Sequence, residues 1–207
     1  MRRIEEIAQA LAGHRPQQIE RPGVARAAVA LVLREGPGPG PEVLLIERAR
    51  RAGDPWSGHM AFPGGRVSRR DTSPRAAAER ETYEEVGLEL GGAHHLGQLD
   101  DLEGRHAGRP AGLVVSAFVY HHPAPGPLAA NHEVEEILWV PVRDLAAVER
   151  HVDHRAPAAG DRSYPGILVG RPDRHVVWGL TYRFLELFFE VGGSPLPPRW
   201  VLERDAS

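Results

Sequence analysis

Phe62-Pro63-Gly64-Gly65 opens the stretch that decides the fold, and Arg80-Glu81-Thr82-Tyr83-Glu84-Glu85-Val86-Gly87-Leu88 closes it. Between them Ser73-Pro74 supplies a helix start, serine as the N-cap and proline at the first helical position. The pattern predicts a helix over Pro74–Val86 that ends at Gly87, a residue suited to a left-handed C-terminal cap. On that helix Glu81, Glu84 and Glu85 stand at i, i+3 and i+4 and share one face within an arc of about 100°. Carboxylates that close repel one another unless a cation neutralises them, and hard divalent ions prefer oxygen ligands. Ala76, Tyr83 and Val86 lie roughly opposite and are expected to pack on a sheet. Glu79 falls on that side too, which a helical wheel does not explain.

Upstream, residues 25–33 form a nearly continuous β-prone apolar run, the signature of a buried strand. Gly36-Pro37-Gly38-Pro39-Gly40-Pro41 cannot continue it, and Val43-Leu44-Leu45-Ile46 starts a second strand, so the two make a hairpin with a long turn. Residues 48–65 read as a loop with a short apolar piece at 60–62. Downstream, strands are expected near 94–100, 113–121 and 136–140, a short helix at 142–148, and a Pro/Gly/charge-rich loop over 151–172. Leu180, Phe184, Leu187, Phe188 and Val191 give a strong amphipathic helix over Gly179–Val191, and Ile4, Ile7, Ala8 and Leu11 a short one near the N-terminus. The strands are mostly not linked by helices, so the class is α/β without a simple doubly wound parallel sheet. The expected organisation is a helix and connector at 1–24, the main domain at 25–191, and an irregular tail at 192–207.

Composition removes several chemistries. All 25 Lys+Arg positions are arginine, and the 207 residues contain neither lysine nor cysteine. That excludes Schiff-base and P-loop lysines, thiol nucleophiles, disulfides and thiolate zinc sites. Phosphate handling must therefore rest on arginine, backbone amides or an ion held by oxygen or imidazole. A net charge of −3 argues against non-specific nucleic-acid binding. No apolar run approaches the roughly 18 residues of a membrane span. The first residues also lack the apolar stretch of a signal peptide, so a cytoplasmic protein without membrane partners is expected.

Taken alone, Glu-x-x-Glu-Glu on a helix is a common solvated acidic face. The glycine loop at fixed distance, Arg80 before the first glutamate and Gly87 after the helix reverse that reading. Together these residues resemble the Nudix hydrolase signature: Gly, five residues, Glu, seven residues, Arg-Glu-apolar-x-Glu-Glu-x-Gly-apolar. Here Gly65 is followed after five residues by Asp71, then eight residues, then Arg80 to Leu88. Aspartate replaces the first glutamate, one residue is added before Arg80, and Thr82 takes the usual apolar position. The resemblance implies an α/β/α sandwich with a mixed β-sheet, and hydrolysis of a diphosphate linkage by a metal-activated water.

By that resemblance Glu81, Glu84 and Glu85 hold Mg²⁺ or Mn²⁺, Glu84 and Glu85 serving catalysis directly. Arg80 orients the glutamates, pairing with Asp71, and Gly64 and Gly65 bring the loop backbone close to the metal. Arg48 is a candidate clamp on a substrate phosphate, against the alternative of a strand-end surface arginine. Glu133 is a candidate extra ligand or water-activating base, against the alternative of an acidic loop shared with Glu135 and Glu136. Leu44-Leu45-x-x-Arg48, Gly58-x-x-x-Phe62, Leu96-Gly97-x-Leu99-Asp100-Asp101, Val114-x-Ser116, Glu133-Val134, Trp139-Val140-Pro141 and Trp178-Gly179-Leu180-Thr181 are similar to the branch that cleaves coenzyme A. That branch carries Leu-Arg-x-His where this chain has Gly53-Asp54-Pro55-Trp56, and Ser68 replaces a common aspartate. The implied substrate is coenzyme A or an acyl ester. The alternatives are another nucleoside diphosphate derivative or, from a different class, a non-catalytic binding domain. The 11 histidines are expected at solvated positions, Trp139 and Trp178 in core or pocket wall, and the N-terminal helix on the domain or on a second subunit of a homodimer.

Overall fold

The structure is a computed structural model that describes residues 3–51, 56–106, 109–155 and 163–198. In chain order it contains α1 (Ile4–Gly13), β1 (Ala25–Glu35), β2 (Pro41–Arg48), β3 (Met60–Ala61), β4 (Gly64–Arg66), α2 (Pro74–Val86), β5 (His94–Gln98) and β6 (Leu102–His106). After these come β7 (Arg109–His121), β8 (Val134–Pro141), α3 (Val142–Leu145), β9 (His151–Arg155), β10 (Ser163–Leu168), β11 (Val176–Trp178) and α4 (Gly179–Val191). Gly53, Asp54 and Pro55, which mark the departure from the coenzyme A branch, lie outside the described residues, as do positions 199–207 of the expected tail.

The main sheet runs β3-β2-β1-β7-β5, with β8 on β2, β4 on β1 and β6 on β7. β1 and β7 pair in parallel and the other pairs are antiparallel, so the sheet is mixed. β1 is central because it is apolar on both faces, as a strand covered on both sides must be. Leu31 and Leu33 point into one core with α1 and α4, while Ala30 and Val32 point into the other with α2. The result is a helix–sheet–helix sandwich. β2 pairs with only the C-terminal part of β1, Leu33 opposite Val43, whereas the N-terminal part pairs with β4, Val29 opposite Gly64. The glycine loop is thus seated in the middle of the sheet rather than hung from its edge.

The helix that the sequence predicts over Pro74–Val86 is present, capped by the Ser73 hydroxyl accepting the Ala76 N–H at 3.1 Å and closed by Gly87 at φ 70°. Its buried face differs from the wheel. Ala77, Ala78, Thr82, Glu85 and Val86 are buried, and Tyr83 stands 55% exposed. Small alanines let the helix approach the sheet, and Thr82 is tolerated at an apolar position because its hydroxyl donates to the Ala78 carbonyl at 2.7 Å. Glu79 accepts the Tyr120 hydroxyl at 2.9 Å, which accounts for a carboxylate on the sheet side.

Two further expectations change. The presumed loop at 151–172 forms β9 and β10, which with β11 make a separate antiparallel sheet in the order β11-β10-β9. Polar β9 and a proline and glycine in β10 carry little strand signal, and the sheet exists because Ile167 and Val177, both fully buried, enter the main core. The expected helix at 142–148 shrinks to α3, a 3₁₀ turn following at Val148–Arg150. α1 packs on the body of the molecule: Ile4, Ile7 and Leu11 join the main core, and a Cβ on Gly97 of β5 would come within 3.1 Å of Leu11.

Candidate active site

The glutamate face of α2 meets the glycine loop. The Gly64 N–H donates to Glu85 Oε2 at 2.8 Å, and a Cβ on Gly65 would lie 2.5 Å from the Glu81 carboxyl carbon. Both glycines therefore let backbone touch carboxylate, one as a donor and one by close approach. Glu85 is 2% exposed, and burial pushes its carboxyl up to about 7; the Gly64 N–H and the Arg48 guanidinium act in the opposite direction. Burial likewise raises Glu81, with Arg80 acting against it and Glu84 and Glu133 adding to it. Burial outweighs the nearby arginines at both carboxyls, and a hard divalent cation fits the oxygen donor set.

Arg80 locks the helix to the loop before it. Its Nε and Nη2 fork onto Asp71 at 2.8 and 3.0 Å, Nη1 reaches Glu81 at 2.9 Å and Glu84 at 3.0 Å, and Nη2 also donates to the Arg66 carbonyl. Asp71 also accepts the Ser68 N–H and hydroxyl at 2.7 and 2.8 Å. The aspartate and the added residue thus rebuild an arginine–carboxylate fork at the start of α2. Arg80 and Ser68 hold the Asp71 carboxyl well below the usual carboxylate range. A depressed folded value gives stability that is complete above the unfolded carboxylate pKa and is lost as pH falls through the folded one. Asp71→Asn is expected to cost about 2–3 kcal/mol at neutral pH. In urea unfolding across pH, its gap from wild type should hold above about pH 5 and narrow progressively as pH falls below about 4. A gap that persists at low pH sinks this account.

The opposite wall is built from the loop before β8. Asn131 caps the C-terminal end of α2, its N–H donating to the Glu85 carbonyl at 2.9 Å and its Nδ2 to the Glu84 carbonyl at 2.8 Å. Its Oδ1 accepts the Glu133 N–H at 2.7 Å, and the Glu133 carbonyl accepts the Ala49 N–H at 2.8 Å. One asparagine side chain therefore fixes the distance between the glutamate helix and Glu133. Glu81, Glu84, Glu85, Asn131, His132 and Glu133 line one open cavity of about 560 Å³. Sequence reasoning missed Asn131, since its role exists only through carbonyls of a distant helix. Asn131→Ala is expected to lower stability by about 1–2 kcal/mol and kcat by about 10- to 100-fold, read by thermal unfolding and initial rates.

The structure thus brings Glu81, Glu84, Glu85, Glu133, Arg80, Gly64 and Gly65 to one place. Arg48 belongs with them because its charge acts on Glu85. The pairing of β2 with β8 shifts register between Glu47 and Arg48, a bulge at the strand end.

A second group, Glu47, Glu136 and His175, has ligand atoms within 4.8 Å of one another. Its chemistry is that of an ion-pair network. His175 Nδ1 accepts the Arg171 N–H at 3.1 Å, which leaves the proton of a neutral imidazole on Nε2, facing Glu136 at 3.3 Å and Glu47 at 3.4 Å. Arg174 caps Glu47 at 2.7 Å and Arg171 caps Glu136, so two guanidiniums already supply the positive charge. His175 and His151 are buried, correcting the expectation of solvated histidines. His151 is accommodated by the Leu145 carbonyl at 2.9 Å from its Nε2. Trp178 packs against His59, His154 and Tyr164, and Trp139 lies under Arg34.

A family model described as the NUDIX domain matches residues 24–159. The uncharacterized protein C14C4.10c of Schizosaccharomyces pombe is 36% identical over 167 residues, covering 76% of this chain and 50% of that protein. The chain therefore spans half the length of that relative. The uncharacterized Nudix hydrolase NudL of Escherichia fergusonii is 28% identical over 189 residues, covering 86% of this chain and 92% of that protein. The crystal structure of a MutT/nudix family protein from Enterococcus faecalis is similar in fold, with a TM-score of 0.53 at 20% identity over 92% of this chain and 70% of that one. The matched segment includes the glycine loop, the glutamate helix and the loop that carries Glu133, and the chain belongs to the Nudix hydrolase family.

Proposed function

We propose that this chain is a divalent-metal-dependent pyrophosphohydrolase that cleaves the diphosphate linkage of coenzyme A or its acyl esters, releasing 3′,5′-ADP and 4′-phosphopantetheine or its acyl form. The observation that carries the reaction class is the convergence of Glu81, Glu84, Glu85 and Glu133 on one cavity, with the buried Glu85 anchored by the Gly64 N–H. Glu81, Glu84 and Glu85 are the proposed ligands of Mg²⁺ or Mn²⁺. When bound, the cation neutralises charge on the transferring phosphoryl group and lowers the pKa of water.

The protein supplies the rest by position. Arg80 pairs with Glu81 and Glu84 together, which draws the two carboxylates toward one place before any cation binds. Arg48 places a guanidinium beside Glu85, where a fork onto two phosphate oxygens orients the diphosphate. Glu133, from the facing loop, offers a carboxylate to the cation or to the proton of the attacking water. The unit that performs this is proposed to span residues 25–191, acting on a small molecule in the cytoplasm.

The finer reading rests on the sequence features similar to the coenzyme A branch, from Leu44-Leu45 through Trp178-Gly179. The Gly53-Asp54-Pro55-Trp56 departure favours a second reading, another nucleoside diphosphate derivative. Purified protein with Mn²⁺ is to be offered coenzyme A, dephospho-coenzyme A, NADH, ADP-ribose and nucleoside triphosphates. Highest kcat/KM on coenzyme A is expected. Far higher kcat/KM on another diphosphate would sink the substrate assignment and leave the chemistry standing.

A further inference from the structure

Arg51 pairs with Glu133, one of the residues that line the cavity. Its Nη1 lies 3.1 Å from Glu133 Oε1 and its Nη2 donates to the His132 carbonyl at 3.4 Å. The backbone leading to it is held: the Ala49 N–H bonds the Glu133 carbonyl, and the Arg51 N–H donates to Ser57 Oγ at 2.7 Å. The guanidinium is therefore presented to a cavity carboxylate by an anchored main chain. The ion pair itself is weakly held, since Arg51 and Glu133 are 44% and 39% exposed, and exposed pairs are readily exchanged.

The charges around the cavity explain why the pair matters. Arg80 is committed to Asp71 by a fork and to Glu81 and Glu84 besides, and so is not available to an incoming anion. Arg51 is three residues from Arg48 on the same chain segment; Arg51 pairs with the cavity carboxylate Glu133, and the charge of Arg48 acts on Glu85. A cation entering the carboxylate cluster competes with Arg51 for Glu133. A diphosphate entering with it competes with Glu133 for Arg51. Both replacements restore charge pairing, so neither leaves an uncompensated ion.

We infer that Arg51 is an exchangeable counter-ion, occupying Glu133 in the metal-free protein and passing to a substrate phosphate when a divalent cation takes the cavity. This rests on the metal-dependent reading proposed above and extends it to a residue that the signature does not contain. It makes Arg51 a binding residue for anionic diphosphates, with an antagonistic effect on metal uptake.

That antagonism is what an experiment reads. Mn²⁺ binding to the metal-free wild-type, Arg51→Ala and Arg51→Lys proteins is to be measured by isothermal titration. Methylenediphosphonate, a diphosphate that cannot be hydrolysed, is then titrated at saturating Mn²⁺. Arg51→Ala is expected to bind Mn²⁺ about threefold more tightly, as loss of an exposed competing ion pair implies. It should bind methylenediphosphonate about tenfold more weakly, while Arg51→Lys recovers part of both effects. Equal or weaker Mn²⁺ binding by Arg51→Ala, or unchanged methylenediphosphonate binding, overturns the inference. These titrations do not depend on turnover, so the expected pattern in a protein that leaves coenzyme A intact would refute the substrate reading alone. Absence of Mn²⁺ binding in the wild type removes the metal reading and the inference together.

Discussion

Glu85→Gln is expected to lower kcat by about 10³-fold while leaving the metal-free protein as stable as wild type, or slightly more stable. Both halves follow from burial. The side chain is 2% exposed, and without a cation its carboxyl is raised to about 7 by the environment. A carboxamide of the same shape still accepts the Gly64 N–H and removes an ionisable group from a place that disfavours charge. With a cation present the ranking inverts, because a neutral oxygen is a poorer ligand than a carboxylate. Wild type should gain about 2.7 kcal/mol at a Mn²⁺ concentration 100 times its Kd, and Glu85→Gln should gain little. Thermal unfolding with and without Mn²⁺ reads the second effect and initial rates the first. Glu84→Gln, at a carboxylate 52% exposed, is expected to be milder, at about 10- to 100-fold in kcat. Unchanged hydrolysis in Glu85→Gln removes the proposed site.

Gly64→Ala is the substitution expected to cost the most stability, about 4 kcal/mol, or a fall of about 10 °C in Tm. Gly64 has φ 151°, and a Cβ there would stand 2.3 Å from the Ala28 carbonyl oxygen and 2.6 Å from Val29 Cα. Those are backbone atoms of β1, the strand held between β7, β2 and β4, so nothing nearby is free to give. Gly65→Ala makes the informative contrast. Its Cβ meets the Glu81 carboxylate, the far end of a side chain that can swing aside, so the fold tolerates it and the damage falls on the glutamate cluster. The pair should separate cleanly, Gly64→Ala in Tm and Gly65→Ala in kcat and Mn²⁺ affinity. A Gly64→Ala protein melting within about a degree of wild type would falsify the seating of the loop in the sheet.

The sequence by itself determined what short-range chemistry controls. Ser73-Pro74 and Gly87 bound α2, the spacing of Glu81, Glu84 and Glu85 set one carboxylate face, and the apolar runs at 25–33 and 42–47 set the hairpin, because each signal acts within a few residues of where it is written. The tertiary structure decided the rest. It chose which face of α2 is inside, burying Glu85 against the Gly64 N–H and turning Tyr83 outward. It made a sheet of β9, β10 and β11 from a stretch that reads as loop, through the burial of Ile167 and Val177. It buried His175 beside two carboxylates and two guanidiniums, and it placed Asn131 where the carbonyls of α2 needed a donor. Each of these depends on a partner far along the chain, and a local pattern carries no record of which distant group will satisfy a buried charge or an unpaired carbonyl.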